Sequence, residues 1–200
     1  MARSVLVLFM IYVGVAGTSL DIGQFEDDLD LVGDNAAFYP LTADFGMGPL
    51  WIINGHNIRI VNFEIEGFTW QANEGGRLAE YRIVEPSVSF GYGYSPTRWF
   101  TANFDVAFGF GQQVYSLITP QIHGRMQNDY YSIRPKIGTL FKFSKSAGFN
   151  LFATYSAPIA DGGSLYSGDF HGDTFDDVDV SRMIFGLEYV VHLRLGQIER

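Results

Sequence analysis

The stretch FTANFDVAFGFG at positions 100–111 alternates with a period of two. Phe100, Ala102, Phe104, Val106, Phe108 and Phe110 fall on one side of an extended chain. Thr101, Asn103, Asp105, Ala107, Gly109 and Gly111 fall on the other. An α-helix would mix these two sets, whereas a β-strand separates them. One face is apolar and rich in rings; the other is small or polar and carries one charge.

The same pattern recurs along the chain. It is found at 45–53, 58–70, 81–94, 129–143, 149–159 and 180–195. Asn54-Gly55 separates the first two of these as a tight hairpin turn, since Asn-Gly tolerates positive φ angles. Ser95-Pro96-Thr97-Arg98 makes a second turn, with proline at its favoured position. A third short turn covers 144–148, and long polar loops are expected near 71–80, 112–128 and 160–179. Seven strands alternating between short and long connections require an eighth, sought in residues 18–33. The expectation is an all-β, closed, antiparallel up-and-down barrel of eight strands, with ten as the alternative count.

The N-terminus MARSVLVLFMIYVGVAG carries Arg3, an apolar run from Val5 to Val13, and small residues ending at Ala16. This is the pattern of an export leader, and it is too short for the roughly 20 residues of a spanning helix. The domain reading is therefore a leader at 1–16 and a barrel at 17–200. With no cysteine in the chain, disulfides and thiolate chemistry are excluded. The net charge of −9 and the lack of a basic stripe argue against a nucleic-acid partner.

The decisive question is which solvent each face meets. A soluble barrel solvates its polar face with many charges, but only 18% of this chain is charged, against about 25% in typical soluble domains. On the polar faces acids and bases balance, five of each: Glu64, Glu66, Glu85, Asp105 and Glu188 against Arg134, Lys136, Lys142, Arg182 and Arg194. That balance suits an enclosed lumen in which charges meet each other. The apolar faces carry no charge in mid-strand; Arg59 and Arg82 share their parity, but at strand ends. Phe63, Phe90, Phe100, Phe104, Phe108, Phe141, Phe185 and Tyr189 are the expected lipid-facing residues, with Trp51, Trp70, Tyr81, Tyr92, Tyr94 and Tyr131 at the margins. An apolar band with aromatic margins is what a barrel wall in lipid needs, and backbone in lipid must be fully paired, so the sheet must close. Pro86 and Pro135 cannot donate to a ladder and are expected at bulges.

In this arrangement the sequence resembles the small eight-stranded bacterial outer-membrane barrels of the outer-membrane protein A, X and W type. The resemblance covers most of the chain and is one of architecture. It implies a monomer in outer-membrane lipid, delivered by the barrel-insertion machinery, with short periplasmic turns and long external loops. Those families commonly end on an aromatic residue, whereas this chain runs on from Leu195 as Gly-Gln-Ile-Glu-Arg.

The expected function is structural or surface-interacting, through acidic loops, with no cofactor and no catalysis. The alternatives are a narrow channel, a small-ligand barrel (in the membrane, or soluble and lipocalin-like), or a lipid-modifying enzyme. Ser167, Asp169 and His171 alternate, but a hydrolytic triad needs its base between nucleophile and orienting acid. Asp173, Asp176 and Asp177 are weak candidates for a divalent cation, in a loop whose spacing does not match an EF-hand.

Overall fold

The computed structural model describes residues 4–20, 41–54, 56–170 and 180–199. Eight strands run in chain order: β1 (Ser4–Leu20), β2 (Leu41–Ile53), β3 (His56–Glu74), β4 (Arg77–Thr97), β5 (Phe100–Ile118), β6 (His123–Lys142), β7 (Ala147–Gly168) and β8 (Arg182–Glu199). Every strand pairs antiparallel with its sequence neighbours, and β1 pairs with β8 to close the barrel. The strands are 13 to 22 residues long, well beyond the roughly 9–11 residues that cross a bilayer.

The first strand differs from the sequence expectation. It lies at Ser4–Leu20, not within 18–33; residues 21–40 are outside the described residues. The run read as a leader is here a wall of the barrel, paired from Leu6 to Gly17 with β2 and from Ser4 to Leu20 with β8. The physical cause is an apolar lumen at the short-turn end. Leu8, Met10 and Tyr12 point inward onto Leu50, Leu140 and Val190, while Val13 and Val15 point outward and are exposed. Both faces of β1 are apolar there, so alternation is lost.

The long loops are shorter than the sequence suggests, because the strands continue into them. β3 and β4 meet at Gly75-Gly76, both with positive φ (59° and 81°). β5 and β6 run to Ile118 and from His123. In these outer sections the inward positions turn aromatic, with Phe68, Trp70, Tyr81, Ile83, Tyr115 and Leu117 forming a buried cluster. Trp70 and Tyr81 are thus interior plugs, not outer margins. Outward, Thr69, Gln71, Arg82, Gln112 and Asp129 replace the rings, which ends the apolar band on that side.

No bulge marks either proline. The β3–β4 ladder pairs Ile65 with Pro86, and the β5–β6 ladder pairs Val106 with Pro135, both without a register shift there. The missing donor is accommodated on the other neighbour, where paired residues skip Pro135 but resume in the same register. Thr154 Oγ1 donates to the Pro135 carbonyl at 2.9 Å in that gap. The register shifts lie elsewhere, including Arg59/Asn62 on β3. That shift swaps parity, so Arg59, assigned above to the apolar face, points inward and is buried.

Candidate functional site

Barrel closure sends one side of every strand into a narrow lumen, and the charged side chains of that lumen are the candidate site. It is built in layers. Next to the loop-end aromatic cluster lie Glu66, Glu85, Arg134 and Arg182, all buried. The Arg134 guanidinium donates to Glu66 at 2.7 Å and lies 3.5 Å from Glu64 and 3.2 Å from Glu85. Arg182 donates to Glu66 at 2.9 Å and to Glu85 at 2.7 Å, and reaches the Tyr130 hydroxyl at 3.1 Å. Glu85, fully buried, also accepts from Tyr130 at 2.9 Å and from Ser132. A buried carboxylate stays charged only when its lone pairs are occupied in this way.

A second layer lies toward the short turns. Lys136 contacts Asp44 Oδ2 at 3.3 Å and donates to Glu188, while its ammonium lies over the Phe152 ring at 4.3 Å. Glu188 also accepts from Asn150 at 2.7 Å. Arg59 meets Asp105 at 3.0 Å. Glycines make the room. A Cβ on Gly91 would stand 1.7 Å from Asp105 Oδ1, and one on Gly46 would stand 2.2 Å from the Tyr12 ring.

Eight of the ten residues assigned to the lumen are brought together: Glu64, Glu66, Glu85, Asp105, Arg134, Lys136, Arg182 and Glu188. Lys142 and Arg194 are not. Lys142 sits at the short-turn end of β6, and among the described residues it makes no ion pair. Arg194 is exposed and donates to Gln197 at 2.9 Å. Two members were missed. Asp44 lies on β2, whose apolar face was read from Phe45 onward, so its inward parity was available. Arg59 was hidden by the register shift.

On the outside, Phe63, Phe90, Phe104, Phe108, Phe141, Phe185 and Tyr189 are exposed, and Phe100 is half-buried against Phe141 at 5.8 Å. Asp173, Asp176, Asp177 and His171 lie outside the described residues. Ser167 and Asp169 bond the β6 backbone: Ser167 donates to the Arg125 carbonyl at 3.5 Å, and Asp169 accepts from the His123 amide at 2.7 Å.

No family model matches the sequence, and a search of curated proteins finds no relative. Solved structures do match. Ail, the attachment invasion locus protein of Yersinia pestis, aligns over 95% of this chain and 99% of its own, at 10% identity and a TM-score of 0.52. Neisserial surface protein A aligns over 92% and 96%, at 7% identity and a TM-score of 0.54. The fold is that of the small outer-membrane β-barrels. In this fold the ringed side chains form the outer face of the wall and the charged side chains its inner face.

Proposed function

We infer that this protein is an outer-membrane barrel with a structural or surface-interaction role, its lumen closed by ion pairs and its working parts at the loop end. The observation that carries the reading is the inversion of solvents. The exposed surface is a band of phenylalanine and aliphatic side chains, while arginine, lysine, glutamate and aspartate are buried inside. Water would reverse that arrangement, and lipid requires it. The names of Ail and neisserial surface protein A point to attachment and surface exposure for those proteins, and they support the same reading here.

A small-ligand barrel fits less well. Two voids among the described lumen residues measure about 20 Å³ and 10 Å³, room for roughly one water each. A channel would need a continuous path past the buried aromatic cluster at the loop end.

Membrane fractionation and gel mobility with and without boiling test the reading. The expected result is a membrane-fraction protein whose unboiled form migrates differently from the boiled form. A soluble protein with one mobility overturns it.

A further inference from the structure

The two charge layers are not equally balanced. Near the loop end, Glu66 and Glu85 face Arg134 and Arg182, two acids against two bases. Near the short turns, Asp44, Glu64, Asp105 and Glu188 are all buried, and the buried bases beside them are Arg59 and Lys136. Glu64 reaches back to Arg134 only at 3.5 Å, and Arg134 is already held by both acids of its own layer. The inner layer therefore carries two negative charges in excess. An uncompensated charge is costly in a shielded interior.

The excess coincides with a void. The 20 Å³ cavity is lined by Asn62, Glu64, Asp105 and Glu188 and by the two bases Arg59 and Lys136, with Asn57 beside them. Three side-chain oxygens in this group are buried and accept nothing: Asn57 Oδ1, Asn62 Oδ1 and Asp105 Oδ1. Their residues are 4%, 1% and 6% exposed. Arg59 Nε, also buried there, has no acceptor. Among the described residues no three acidic or histidine side chains converge as the ligands of a divalent metal would.

We propose that this cavity binds a small monovalent cation, sodium or potassium. The amide and carboxylate oxygens supply the neutral and negative ligands that hard cations prefer. The cation offsets one of the two surplus negative charges of the inner layer. The inference rests on the shielded lumen of the proposed function. If the protein proved soluble, that reading would fail on its own test, before any cation was added.

The test is urea unfolding of the full chain in lipid vesicles, at fixed pH and ionic strength. Chloride salts of sodium, potassium or rubidium are compared with N-methylglucamine chloride, a cation too large for the cavity. The expected result is a midpoint that rises saturably with the small cations and not with N-methylglucamine. Asn62→Leu, which fills the void without changing charge, is expected to abolish the difference. In rubidium-soaked crystals an anomalous peak is expected beside Asp105 and Asn62; this reading uses the wild-type chain and stands even if the variant does not fold. A midpoint indifferent to cation identity, with no anomalous peak, overturns the proposal. So does a midpoint that responds only to acidification, because protons would then neutralise the surplus.

Discussion

At the residue scale, the lumen is held by groups that satisfy several partners at once. Glu85 touches both arginines of its layer, two hydroxyls of β6 and the Ser156 hydroxyl of β7. Removing one side of a buried pair leaves the other charge uncompensated, at a cost of about 3–5 kcal/mol. Arg134→Ala and Glu85→Gln are each expected to lower unfolding stability by roughly that amount, measured in urea from lipid vesicles. Arg194→Ala, on an exposed site, should stay within about 0.5 kcal/mol of the parent. Equal effects from all three would show that the inner charges are as well solvated as Arg194. The glycines of the inner face belong to the same argument, because they leave space for Tyr12 and Asp105 in a barrel too narrow for two side chains abreast. Gly46→Ala is expected to cost about 1–3 kcal/mol by overpacking. In a Tyr12→Ala background most of that cost should vanish, and a double-mutant cycle with no coupling between the two sites would refute the packing account.

At the element scale, β1 is the instructive strand. Mass spectrometry of protein extracted from membranes is expected to recover peptides spanning Ser4–Leu20, and a chain lacking residues 1–16 is expected to lose its heat-dependent mobility. Recovery of only shorter chains in a properly assembled barrel would show that these residues are a leader removed on export. Seven strands were legible from alternation because their inward sides are polar and their outward sides apolar. β1 was not, because alternation reports a contrast between two solvents, and an inward side packed on Leu50, Leu140 and Val190 offers no contrast. The outer ends of β3 to β6, within 71–80 and 112–128, read as loop because there the outward side turns polar. Arg59 shows a third limit, since a single register shift reverses every assignment of parity beyond it. The eight charges that do converge were readable because none lies across such a shift from the rest of its own strand.

At the scale of the whole molecule, the apolar locks at either end of the lumen and the charged layers between them leave no wide passage. Planar-bilayer recording of the wild-type protein is expected to show no sustained ionic current; steady conductance would mean that the aromatic cluster of Phe68, Trp70, Tyr81 and Tyr115 does not seal the loop end. The closure itself has a temporal side. Seven of the eight ladders join strands adjacent in sequence, while the eighth joins Ser4 to Glu199 and Leu20 to Arg182. Zipping hairpins is a local and rapid event, but bringing the two ends of the chain together carries the entropy of a long loop and waits until the others are in place. The β1–β8 seam is therefore the joint that completes assembly. Like several of the other ladders it carries a register slip, here between Val7 and Leu8. A barrel halted before closure would be an open sheet with β1 and β8 as its two unmated margins.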